Sequence, residues 1–273
     1  MKKRLLIAAL FLSITTTFAQ APYPVFEYKN AKDTAVYQRA VDEYICKEYD
    51  VALRTLRKLS KRYDRDAAIH RLRALCLEEL GDFNEATYAL GLAIAESPET
   101  YGLLTERARL WRKAQNYRAQ AADLCAYLVF DPNCRAVVYG YMHALRELHE
   151  YDLGIQFLDT YPHKDAGLYN LLGHFYIQTE QYDSAIAVMN RTLMMYPNYE
   201  AGYEQLAIAY FFADQHEKAL AAADNLIALN NQHAYAFALK GWICDDMGRD
   251  FEAQQYYDLA EQYGYVFESD PRF

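Results

Sequence analysis

From Asp33 to about Tyr265 the chain consists of short blocks in which apolar and aromatic residues recur three and four apart around one small residue. That spacing stacks side chains on a single helical face, so a succession of amphipathic helices is predicted. The small residue is Ala40, Ala74, Ala108, Met142, Gly173, Ala207 and Gly241, and successive sites stand 34 residues apart except for one step of 31. Four residues before it come Val36, His70, Leu104, Val138, Tyr169, Tyr203 and Phe237; three after it come Glu43, Leu77, Trp111, Leu145, Tyr176, Tyr210 and Cys244. Twelve residues beyond each lies a second small site, occupied by Ala52, Ala86, Gln120, Gly154, Ala185, Ala219 and Ala253. Four further on stand Leu56, Leu90, Leu124, Leu158, Met189, Ala223 and Tyr257, without a charged side chain among them.

Twelve of the fourteen small sites hold Ala or Gly, well above the chain's general content of these residues. Two antiparallel helices joined by a short turn approach closely only where neither presents bulk, so each period reads as a helix pair. Punctuation agrees. Gly81 and Gly248 fall where a first helix should stop in a left-handed cap. Asp82 with Glu85, and Asp214 with Glu217, have the spacing of a capping box at the start of the second helix. Pro98, Pro132 and Pro197 close three periods, and Pro162 closes the short one early.

These residues resemble the tetratricopeptide repeat family, whose W-x2-L-G-x2-Y, A-x3-F and P signature is best matched by Tyr169, Leu172, Gly173, Tyr176, Ala185, Met189 and Pro197. The resemblance covers Asp33 to about Tyr265. It implies an all-α, right-handed α-solenoid of about seven helix-turn-helix units, near 33–66, 67–100, 101–134, 135–165, 166–199, 200–233 and 234–265. Unit three departs from the pattern at Gln120, and unit four departs most, with Met142 and Gly154 at its small sites and a shortened second helix. In the family such pairs form a superhelix whose concave side, lined mainly by first helices, grips peptides or protein segments. The implied role is a non-catalytic interaction scaffold with an unidentified protein or peptide partner.

The positions that the family turns toward its groove can be projected onto this chain. They select Arg71, Arg109, Arg112, Tyr139, His143 and Arg146 in units two to four, and Asn170, His174, Glu204, Phe211, Trp242 and Asp245 in the later ones. The middle of that lining is basic, which suits acidic side chains or a terminal carboxylate. The plain alternative is that these are helix charges paired with acids such as Glu106 and Glu147. Trp242, Phe211 and Tyr139 offer an aromatic surface, which keeps a glycan or peptidoglycan-fragment binding protein as the second reading, although aromatic residues at helical spacing serve packing more often. His143 and His174 share a repeat position, but no carboxylate or Cys completes a ligand set, so no metal is assigned. The sequence holds no Gly-rich phosphate loop, GxSxG or HExxH, so neither cofactor nor enzyme activity is expected.

The ends add a location. Lys2, Lys3 and Arg4 precede an apolar run from Leu5 to Leu12, and residues 1–21 read as an export signal cut after Ala19 or Ala21, with Ala19 favoured because Pro22 would follow the other cut. The run is too short to span a bilayer, so a soluble protein of the Gram-negative periplasm is expected, with no direct membrane insertion. Losing those three cations makes the formal charge of -9 three units more negative, which argues against nucleic acid as a partner. Residues 22–32 are expected to be an extended segment and 266–273 a tail. Solenoids normally end in a polar cap, whereas Tyr256, Tyr263, Tyr265 and Phe267 lie near this end. The tail should fold over the last unit, or the edge should dock on another chain, a second copy included. Five cysteines cannot all pair internally, and apart from Cys134 they are expected on or near apolar helix faces; Cys125 and Cys134 are the only two close in sequence.

Overall fold

The computed structural model describes residues 30–267. The proposed signal, nearly all of segment 22–32 and most of the tail lie outside them. Among the described residues there are fourteen helices and no strand. In chain order they are α1 (Ala31–Ile45), α2 (Tyr49–Ser60), α3 (Ala67–Glu79), α4 (Phe83–Glu96), α5 (Gly102–Lys113), α6 (Tyr117–Phe130), α7 (Arg135–Glu147), α8 (Tyr151–Thr160), α9 (Ala166–Gln178), α10 (Tyr182–Met195), α11 (Glu200–Phe212), α12 (His216–Leu229), α13 (Ala234–Asp246) and α14 (Asp250–Gln262). The number of helices agrees with about seven pairs.

The chain divides into two compact units, Met1–Ala144 and Leu145–Phe273. In the first, α1 packs on α2, α3 on α4 and α5 on α6, and each pair packs on the next through α2 with α3 and α4 with α5. In the second, consecutive helices from α8 to α14 pack in turn, and the odd-numbered helices α9, α11 and α13 also touch one another in order.

All seven turns inside the pairs share one geometry. Lys47, Gly81, Gln115, His149, Glu180, Asp214 and Gly248 have φ between 56° and 84°, so a left-handed residue recurs with the sequence period. The next residue's N–H donates to the carbonyl five back, on Glu43, Leu77, Trp111, Leu145, Tyr176, Tyr210 or Cys244, at 2.8–2.9 Å. This closure satisfies carbonyls that the helix end leaves open, and its acceptor is the residue three beyond the first small site.

The same turn corrects the expected capping boxes. Asp82 is the N-cap of α4 but makes no side-chain cap hydrogen bond. Asp214 lies one residue too early, in the left-handed position, and Gln215 precedes α12. The residues before the second helices have ψ of 56–75°, and of the seven only Asn116 caps its helix through its side chain, accepting from the N–H of Ala119 at 3.1 Å. First helices α3 and α9 do have extended caps: the Asp66 carboxylate accepts from the N–H of Ala68 and Ile69, and Asp165 accepts from Leu168.

Every small site is buried. A methyl on Gly173 would meet Met189 Cε at 2.6 Å, and one on Gly154 or Gly241 would run into the ring of Phe175 or Tyr257. Gln120 and Met142, the two exceptions to smallness, are buried as well, at 3% and 0% exposure.

The described part of the tail folds onto the last pair. Tyr263 stacks on Phe237 at 5.4 Å, Tyr265 meets Tyr235 and Trp242, and Phe267 meets Tyr257. All five cysteines are free thiols, Cys125 and Cys134 included. Cys76 and Cys244 are buried as expected, whereas Cys46 and Cys125 are exposed. Cys125 lies one residue beyond buried Leu124 on α6, which turns it off the packed face.

Candidate functional site

In the first unit two of the three projected arginines, Arg71 and Arg109, are held by acids. Arg71 Nε and Nη2 donate to Glu106 Oε2 and Oε1 at 2.9 and 2.5 Å. Arg109 engages both oxygens of Glu78, with Nη2 to Oε2 at 2.6 Å, and Lys113 Nζ joins at 2.6 Å. Burial raises the Glu78 carboxyl, but the bonds from Arg109 and Lys113 outweigh it and hold it below its ordinary value. The expected basic lining is therefore largely neutralised here. Arg112 is exposed and forms no ion pair with a described residue. Tyr139 is half-buried, and the His143 ring lies 5.9 Å from that of Tyr117.

The missed residue is Glu78. A signal for it exists: with a period of 34, residues of adjacent first helices meet when they are about one period apart, and Glu78 stands 31 before Arg109 and 35 before Lys113.

The second unit presents a different lining. Asn170 on α9 is half-buried, and its Oδ1 is shielded from solvent yet accepts no hydrogen bond. One turn on, His174 is pushed down by burial and further by Arg146, so its imidazole is neutral at physiological pH. Among the described residues Arg146 itself pairs with its neighbour Glu147, at 3.2 Å. Glu204 on α11 occupies the repeat position of Asn170, and burial raises its carboxyl while His233 opposes the shift. Since α9 touches α11, an unsatisfied acceptor, a neutral imidazole and a desolvated acid share the first-helix face of this unit. Asp245 is exposed beyond them.

The projected aromatic residues here are packing residues. Phe211 is half-buried against Phe212 and His216, at 5.5 and 5.9 Å. Trp242 packs edge-on against Tyr235 and Tyr265, at 5.7 and 5.9 Å. The glycan reading drew on these rings and Tyr139 as an aromatic surface; Phe211, Trp242 and Tyr139 are all half-buried.

The tetratricopeptide repeat family model matches residues 166–199, which include Asn170 and His174. Residues 166–199 are a tetratricopeptide repeat. The wider fold agrees. The C-terminal part of a tetratricopeptide repeat-containing protein from Cytophaga hutchinsonii superposes with a TM-score of 0.62 at 15% identity, covering 86% of this chain and 97% of that one. A tetratricopeptide repeat protein from Parabacteroides merdae gives 0.53 at 17% identity, covering 88% and 96%. No curated protein is significantly similar in sequence. The tetratricopeptide-repeat fold serves in general as a protein-interaction scaffold, built from pairs that expose one face of each first helix. No described helix is long and apolar enough to cross a membrane.

Proposed function

We propose that this protein is a non-catalytic scaffold, exported to the periplasm, that holds a peptide or protein segment of a cell-envelope assembly on the first-helix face of its second unit. The observation that carries the reading is Asn170. A buried acceptor without a partner costs about 1–3 kcal/mol, and rotation of this half-buried amide, which turns Oδ1 outward, lets the N–H of an extended segment laid along α9 remove that cost. Neutral His174 offers a further donor or acceptor beside it, and Glu204 on the neighbouring helix accepts from a cationic or N–H-rich partner without facing bulk water.

Affinity capture from the native envelope tests this, comparing wild type with Asn170→Ala/His174→Ala after circular dichroism has shown equal helicity. A specific partner retained by wild type and lost by the variant supports the reading; an identical partner set from both refutes it. The export step has its own test, the N-terminal sequence of the isolated protein. It should begin at Gln20, and a chain that retains Lys2 to Arg4 contradicts export.

A further inference from the structure

Helix α2 differs from the neutralised first-helix face of its own unit. It carries Arg54, Arg57 and Lys58, with Lys61 at its C-cap. Arg54, Lys58 and Lys61 follow one another four and three residues apart, so they share a helix face. These four cations and Arg39 of α1 line an open cavity of about 370 Å3 together with Val51 and Thr55. Every charged group in that lining is positive.

None of the four cations of α2 forms an ion pair with a described residue, although Asp50 stands one turn before Arg54. Among the described residues Arg39 gives only its Nε, to Glu43 at 2.8 Å. Elsewhere in the same unit Arg71, Arg107 and Arg109 each hold a carboxylate. On a chain of formal charge -9, five cations around one cavity without a lining acid are a local inversion of the surface.

We infer that this face binds a short acidic segment of a protein, rich in Asp and Glu with an apolar residue among them. Guanidinium groups pair with carboxylates in a bidentate fork, and Val51 gives the apolar residue a contact. Arg54 and Lys61 are separated by about 10 Å along the helix, and acids at alternate positions of an extended segment recur about every 7 Å, so a few residues span the site. Ligand length decides the class. Fields are screened within about 8 Å at physiological salt, so a short segment experiences only the local cations. A duplex or an anionic bilayer extends over the acidic remainder of the molecule and is repelled by it. The inference concerns α2 alone and does not depend on the face of α9 and α11.

Fluorescence anisotropy with the whole chain tests it, using a labelled peptide of about eight residues made of Glu with one Leu, and its Gln counterpart. The acidic peptide should bind, the Gln peptide should not, and binding should weaken as salt is raised. Arg57→Glu/Lys61→Glu should weaken it by at least about tenfold, while Asn170→Ala/His174→Ala leaves it unchanged. Should the charge reversal disturb the end of α2, Arg57→Gln/Lys61→Gln, which only removes the charges, should still weaken binding. An acidic peptide that does not bind wild type, or that binds both α2 variants as tightly, overturns the site. Tighter binding of phosphatidylglycerol vesicles or of a DNA duplex overturns the assignment of a protein ligand.

Discussion

Arg109 of α5 embraces Glu78 of α3, and the Glu78 side chain is left only 8% exposed beneath it. This pair ties two first helices of the first unit together and removes the arginine from the set of groups free to meet a partner. Because the carboxyl is held below its ordinary value, the stabilisation is present above the normal carboxylate range and is lost as pH falls through the depressed value. Glu78→Gln should therefore destabilise the protein by about 1–2 kcal/mol at pH 7. Urea titrations should show the difference shrinking as the pH falls below about 4, where the unfolded chain takes up the proton first, and vanishing only below the depressed folded value.

Close approach of paired helices gives a second expectation. Gly173→Ala places a methyl against Met189, whose Cε is 2.6 Å from the new atom and which fills the second small-and-large site of the same repeat. The loss should be about 1–3 kcal/mol, as for overpacked cores. Gly81→Ala meets no atom within 4 Å but has a φ of 84°, so its cost is backbone strain of about 1 kcal/mol. Met189→Ala should cost less in the Gly173→Ala background than in wild type, because the clash goes with the side chain. Equal costs in the two backgrounds would count against the packing assigned to this pair.

The left-handed turns reverse the usual direction of a substitution. Gln115, Glu180 and Asp214 hold φ near 56–59° where Gly81 and Gly248 stand in other pairs. Glu180→Gly should raise stability by about 0.5–1 kcal/mol, since relief of the left-handed strain exceeds the entropy that glycine loses on folding. Thermal unfolding at one pH is enough to read the sign, and a lower midpoint contradicts the shared turn geometry.

His174 supplies a pH test. Its folded value lies below that of the unfolded chain because burial and Arg146 disfavour the charged ring. Its contribution is therefore complete above the unfolded value of about 6.5 and is lost as pH falls through that value toward the folded one. Stability measured between about pH 8 and pH 5 should fall less steeply in His174→Gln than in wild type. Equal slopes would mean that the ring is solvated.

The helix pairs are legible in the chain because close contact demands smallness, and that demand repeats at Ala40, Ala74, Ala108, Gly173, Ala207 and Gly241 whatever the neighbours are. The caps were less legible. Asp82 and Asp214 have the right spacing to Glu85 and Glu217, but Asp214 falls in the left-handed position of the shared turn and Asp82 makes no cap bond, whereas Asn116, one period after Asp82, does cap its helix. The face of the first helices was legible in position, and of the two readings of its charge the pairing with Glu106 and Glu147 is the one found, while Glu78 was not foreseen. Whether Arg71 or Arg109 is free depends on an acid one period away on a different helix, and Glu78 and Glu106 stand there. Asn170 shows the opposite case, because nothing in its own helix reveals that its oxygen lacks a donor. The cations of α2 were visible as residues, yet a count of net charge hid their concentration around one cavity.

The central claim, that the first-helix face of the second unit holds a protein segment, is tested most directly by photo-crosslinking in the native envelope. A benzophenone side chain would replace Glu204 in one protein and the exposed Phe251 of α14 in another. The account predicts a discrete adduct with one partner from position 204, abolished by Asn170→Ala/His174→Ala, and none of that mass from position 251. Equal adducts from both positions, or none from 204 in cells that contain the partner captured by wild type, would contradict it.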